Sequence, residues 1–123
     1  MLGLTPSKEN YLKTISALTR GCENTCVTDI AAQMQITKAS VSRTVTELEA
    51  LGLVRRFKGR RVGLTEEGKR QAGVVLSRFD VISAFFCRVL NISKETSVQE
   101  ACKLEHLLSD ASLEAMQNLL QNT

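Results

Sequence analysis

Tryptophan is absent from the 123 residues, tyrosine occurs once and phenylalanine four times. Binders of single strands stack bases on aromatic rings, so this chain is poorly equipped for that work. No apolar run approaches the ~20 residues that a membrane span requires. Residues 1–6 carry no basic segment followed by an apolar one, which predicts a cytoplasmic chain without a secretory signal. Histidine occurs once, and there is neither a glycine-rich phosphate loop nor a nucleophile beside a base. Catalysis needs a constellation of such groups. The expectation is a non-enzyme.

What is present is charge, unevenly placed. Residues 1–78 hold 13 Lys/Arg against 7 Asp/Glu, and residues 79–123 hold 3 against 6. A basic first part suggests a polyanionic partner, and with so few stacking rings duplex DNA suits it best. At 43% hydrophobic and 24% charged, the chain has a globular composition, long enough for one domain or one domain with an appendage. Cys22, Cys26, Cys87 and Cys102 read as reduced thiols. Cys22 and Cys26 flank a loop, where a metal or redox pair would lack the second pair of a zinc site. Cys87 lies in an apolar helix and reads as core.

Thr5-Pro6 suits a helix start, with Thr5 as cap and proline at the first helical position. That helix runs to about Arg20 with Tyr11, Leu12, Ile15 and Leu18 inward, and a loop follows to Cys26. Residues 27–34 read as a short helix with Ile30, Ala31 and Met34 inward. A tight turn at Gln35-Ile36 leads to Thr37, a good cap for a helix ending near Leu51, where Gly52 stops it. Two short helices so joined form a helix-turn-helix. In the second, Val41, Val45 and Leu48 face inward, and Ala39, Ser42, Arg43 and Thr46 project oppositely with Ser40 and Glu47 beside them. That face is either a solvated surface or one that reads bases, with Arg43 able to take a guanine bidentately.

Residues 53–57 and 61–64 read as strands around a Lys58-Gly59-Arg60 turn. Arg55, Arg56, Lys58, Arg60 and Arg61 put five cations into seven residues. A wing lying along phosphates would use them through counterion release. Thr65 then caps a helix beginning at Glu66, its first-turn acids matching the dipole. Helix-turn-helix followed by a basic hairpin is a winged helix. The helical pattern continues to about Leu90, and residues 81–90, apolar on most sides, read as a dimer interface, with a buried core helix as the alternative.

A helix over residues 96–109 is expected from a capping-box start at Thr96 and Gln99, with Ala101, Leu104, Leu107 and Leu108 as its core stripe. Ser109-Asp110 ends it and caps a last helix whose apolar side is Leu113, Met116, Leu119 and Leu120. On the first of these helices Cys102, Glu105 and His106 stand at i, i+3 and i+4, which share one face. A thiol, a carboxylate and an imidazole can hold a divalent transition metal. The same spacing also suits a small core thiol beside a solvated Glu–His pair.

Together these segments resemble the diphtheria-toxin-repressor family of metal-dependent transcriptional repressors, including its manganese-transport-regulator branch. The likeness runs over residues 9–15, over the helix-turn-helix at 29–45, over the segment after the wing at 64–69 and over residues 100–110, where both ligand types and spacing match. It implies a mainly α fold with a small β-hairpin: a winged helix-turn-helix over residues 1–70, then a helical metal-binding and dimerisation domain over 71–123. It implies a metal site of Cys102, Glu105, His106 and a first-helix position that falls on Asn10, where the iron branch has Met and the manganese branch Asp. Ligands of the family's second site fall on Phe79, Ser83 and Val98, which cannot bind a metal. One ion per subunit is expected, with Lys13 standing near the missing one. A thiolate with imidazole and carboxylate suits Fe²⁺, Co²⁺, Ni²⁺ or Zn²⁺ better than Mn²⁺. The match of Cys102 to the iron branch implies Fe²⁺, with Mn²⁺ or Zn²⁺ as other occupants.

The resemblance further implies a homodimer that binds an inverted-repeat operator and governs metal homeostasis. Ala39, Ser42, Arg43 and Thr46 would read bases, while Thr37, Ser40 and the wing cations Arg55, Arg56, Lys58, Arg60 and Arg61 would hold phosphates. Two other functions fit the residues: a metal-independent winged-helix regulator sensing thiol oxidation through Cys22, Cys26 or Cys102, and a module whose basic wing meets an acidic protein.

Overall fold

A computed structural model describes residues 4–122, which form two compact units dividing between Gly73 and Val74. The first unit opens with α1 (Pro6–Leu18), capped by Thr5, whose hydroxyl accepts from Lys8 N at 3.2 Å. Tyr11, Leu12 and Ile15 are buried along one side. β1 (Thr25–Cys26) follows, then α2 (Val27–Met34) and α3 (Lys38–Ala50). Gln35 takes a left-handed φ of 58° to make the tight turn between those helices, and Thr37 caps α3 by accepting from Ser40 N at 3.1 Å. Ile30, Val41, Val45 and Leu48 are fully buried beneath them, each contributing about 1.5–3 kcal/mol by removal from water.

β2 (Val54–Phe57) and β3 (Arg61–Leu64) form the hairpin, with Gly59 and Arg60 both at positive φ in its turn. Residues 24–26 are not wholly loop. Thr25 and Cys26 pair with Val62 and Arg61, which adds an edge strand in the order β1-β3-β2. Two residues are too few to carry a periodic signal, and their pairing partner lies far along the chain.

α4 (Glu66–Ala84) begins at Thr65, whose hydroxyl accepts from Gly68 N at 3.0 Å, and the division between the units falls inside this helix. Glu67 in its first turn accepts from Arg70 at 2.6 and 3.1 Å and from Gln71 at 3.0 Å. The Arg70 guanidinium, aided by Gln71, holds the Glu67 carboxyl at about 2 rather than 4.5. A depressed carboxyl pKa contributes stability above its ordinary value and loses it as pH falls through the folded one. The Tm difference between wild type and Glu67→Gln should therefore shrink as pH falls from about 4.5 towards 2. A gap constant across that window would refute the pairing. Solvent exposure keeps the effect small.

The second unit centres on Ile82, Ala101 and Leu113, with Phe79, Val81, Phe86, Leu104, Leu108 and Met116 packed against them. α4 runs on into a π-helical turn (Phe85–Val89), which closes with Leu90 N donating to Phe85 O at 3.2 Å. Asn91, a residue type that tolerates left-handed backbone, takes φ 58° and ends the run. α5 (Lys94–Leu104) and α6 (Asp110–Gln121) complete the unit.

α5 departs from the expected 96–109 at both ends. Its cap is Ser93, which accepts from Thr96 N at 3.2 Å. The helix stops at Leu104, and Leu107 lies 74% exposed rather than in a core stripe. Ser109 caps α6 as expected, accepting from Ser112 N at 3.1 Å. No helix among the described residues is long and apolar enough to cross a membrane.

Candidate DNA-binding face and metal centre

α3 presents Lys38, Ala39, Arg43, Thr46 and Glu47 to solvent, with Ser40 and Ser42 half-buried. Thr37 and Ser40 are tied to each other through their hydroxyls at 2.9 Å, so Thr37 serves the helix start first. Glu47 pairs with Lys8 of α1 at 2.9 Å, and the Tyr11 hydroxyl donates to Ser40 O at 3.4 Å. These contacts fix the helix from its inner side and leave Ala39 and Arg43 clear.

The five cations of the hairpin fall into three groups. Lys58 and Arg60 stand exposed at the tip and make no ion pair among the described residues. The Arg55 guanidinium lies 5.1 Å from the centre of the Phe57 ring, a cation–π contact that stiffens the strand. Arg56 and Arg61 bind inward. Arg56 reaches Glu49, Ser42 and Thr46 on α3, while Arg61 donates to the Asn24 side chain and, at 3.3 Å, to its carbonyl. Glu49 and Asn24 had no local signal in the sequence, because their partners lie 7 and 37 residues away.

In the second unit the structure joins two of the three expected donors. Glu105 is the C-cap of α5, and its carboxylate is wholly buried with Oε1 at 3.3 Å from His106 Nε2. The imidazole is 7% exposed. Cys102 is exposed on the last turn of α5. His106 follows the C-cap residue, two positions past the last helical residue Leu104. Among the described residues no three His, Cys, Asp or Glu side chains converge on one point.

A sunken carboxylate and imidazole nonetheless form a hard–borderline donor pair fit for a divalent ion. They sit at the carbonyl end of α5, where the helix dipole favours positive charge. Asn10 is exposed on α1 in the first unit. Phe79 and Val98, expected at a lost second site, are half-buried apolar side chains, and Phe79 packs into the core of its unit. All four cysteines are free thiols.

Three helices with an exposed second helix-turn-helix member and a basic wing define a winged-helix DNA-binding protein, here joined to a separate helical unit. A family model for the N-terminal DNA binding domain of iron dependent repressors matches residues 3–62. The model for their metal binding and dimerisation domain matches residues 65–123. The chain belongs to the iron-dependent repressor family.

The chain is 29% identical to the uncharacterized HTH-type transcriptional regulator MJ0568 of Methanocaldococcus jannaschii, over 96% of this chain and 95% of that protein. It is 28% identical to the transcriptional regulator MntR of Escherichia coli O157:H7, over 92% of this chain and 72% of that one. The solved manganese regulator SloR superposes with a TM-score of 0.79 at 30% identity, covering 98% of this chain and 56% of SloR. The chain thus spans little more than half of that longer regulator.

Proposed function

We propose that the protein is a homodimeric transcriptional repressor that binds an inverted-repeat duplex when loaded with one divalent transition metal per subunit. The observation that carries the DNA-binding half is the exposed Arg43 on α3, in the same unit as a wing tip whose Lys58 and Arg60 have no internal ion-pair partner among the described residues. Arg43, with Ala39 and Thr46, reads base edges in the major groove. Lys58, Arg60 and Arg55 meet phosphates. Two-fold symmetry of the dimer then requires two half-sites about one helical turn apart.

Glu105 and His106 hold the ion, with Cys102 and Asn10 completing the set that the family likeness assigns. Fe²⁺ suits a set containing a thiolate, and Mn²⁺ or Zn²⁺ are the other occupants to test. Phe79 and Val98 offer no donor for a second ion. What the metal supplies is binding energy available in one arrangement of the dimer and not in others, which is how a ligand biases an equilibrium. Leu90 at 50%, Leu107 at 74% and Leu119 at 45% exposure are the apolar side chains that a partner subunit would cover.

The test is selection from a random duplex pool by protein held with Fe²⁺ (anaerobically), Mn²⁺, Zn²⁺ or chelator, followed by a salt titration. Metal-loaded wild type should enrich an inverted repeat that the chelated protein does not. If Lys58 and Arg60 each neutralise one phosphate per subunit, the double Ala variant should flatten the dimer's log K against log salt slope by about 3–4. An unchanged slope would remove the tip from the interface.

A further inference from the structure

Arg56 lies within the basic hairpin, and charge alone would assign it to phosphates. Its guanidinium is engaged elsewhere. Nη2 donates to Thr46 Oγ1 at 2.7 Å and to Ser42 O at 3.3 Å, while Nε donates to Glu49 Oε1 at 3.3 Å. All three acceptors belong to α3. A carboxylate this close also cancels much of the charge that Arg56 would offer a polyanion, and the planar fork suits several fixed acceptors better than a flexible ammonium would.

The consequence falls on Thr46. Its hydroxyl donates to Ser42 O at 3.0 Å while accepting from Arg56. A hydroxyl has one proton and two lone pairs. The proton and one lone pair are used, so the exposed Thr46 has left one lone pair and its methyl group.

We propose that Arg56 is a positioning residue for sequence recognition: by holding the Thr46 hydroxyl, it makes that side chain an acceptor and an apolar contact, not a donor, towards a base. This rests on the reading above that α3 enters the major groove. Guanine shows only acceptors there, N7 and O6, whereas adenine and cytosine show amino donors and thymine a methyl group. The protein therefore disfavours guanine at the position facing Thr46. Without Arg56 the hydroxyl can rotate and donate, and guanine becomes acceptable.

The experiment compares wild type, R56Q, R56K and the double variant R56Q/T46V in selection from a random duplex pool, each loaded with Fe²⁺ anaerobically and with Mn²⁺, and in salt titrations on the selected duplex. Wild type should exclude guanine at one position of each half-site. R56Q should admit it, with discrimination falling about fivefold, the value of one net hydrogen bond, and with the salt slope unchanged. R56K should restore part of the exclusion. R56Q/T46V, which has no hydroxyl to donate, should restore it. The same base preference in R56Q as in wild type, or a slope flatter by about 0.9 per subunit as for a lost phosphate contact, overturns the proposal while leaving the functional reading standing. If no metal-loaded protein enriches any duplex, both fall.

Discussion

Glu105→Gln protein is expected to bind its selected duplex no better with metal than with chelator. The Glu105 side chain is fully buried beside His106 Nε2 at 3.3 Å, so the ion that the proposed function requires would lose its one carboxylate ligand. The amide keeps the shape of the carboxylate, which leaves the packing of the second unit in place. Disturbing an outer-shell partner already costs about 10–100-fold in metal affinity, and losing a charged ligand should exceed about a hundredfold. Calorimetric titration should give one equivalent per wild-type subunit and far weaker binding in the variant. Thermal unfolding supplies a second readout that needs no DNA. Metal at about a hundred times its Kd stabilises the native state by roughly 2.7 kcal/mol, and E105Q should forfeit that increment. Cys102→Ala should also need more metal, with a smaller loss because the thiol lies at the surface. Wild-type metal affinity in E105Q would sink the assignment, and two tight equivalents per subunit would sink the single-ion reading.

The parts of this fold that were legible in the sequence are those governed by local rules. Thr5, Thr37 and Ser109 were readable as caps because a hydroxyl followed by a helical pattern satisfies the first free N–H groups wherever it occurs. The inward faces of α1, α2 and α3 were readable because 3.6-residue periodicity has one solution in a small unit. α5 escaped this logic. Ser93 and Thr96 both offer a capping hydroxyl three residues apart, and the choice fell to Ser93, next to the turn that left-handed Asn91 creates. No glycine or proline marks the stop at Leu104. A trio set by i, i+3 and i+4 spacing presupposes a continuous helix, and α5 ends at Leu104, whereas the Glu105–His106 contact needs only adjacency in the chain.

The wing shows a different limit. Five cations in seven residues identify a basic element, but composition cannot say which guanidinium the fold itself consumes. Arg56 and Arg61 find acceptors on α3 and in the loop before β1, at separations that no local pattern encodes. Counting charge therefore overstates the phosphate-binding surface and hides a connection between wing and recognition helix.

Gly68→Ala should destabilise the protein by about 2–3 kcal/mol, while Gly73→Ala in the same helix should stabilise it by about 0.5–1 kcal/mol. Alanine is ordinarily the better helix former, and at Gly73 a Cβ would meet nothing within 4 Å, so propensity decides the sign there. At Gly68 the added carbon would lie 2.0 Å from Leu53 O and 3.0 Å from Leu53 C. Those are backbone atoms, and they are held. Thr65 N donates to Leu53 O at 3.0 Å, and the Thr65 hydroxyl donates to Gly52 O at 2.6 Å while accepting from Gly68 N. The first turn of α4 is thus stapled to the connection between α3 and β2. Relieving the clash means pulling that turn away and loosening the two bonds from Thr65 to Leu53 and Gly52, with Leu53, fully buried beside them, losing its packing. A loss of this size corresponds to a fall in Tm of about 10 °C for a chain of this length. Because the staple also positions β2, and with it Arg56 against α3, G68A should weaken duplex binding even below its melting point. Equal Tm values for G68A and G73A would show that α4 does not approach Leu53 this closely.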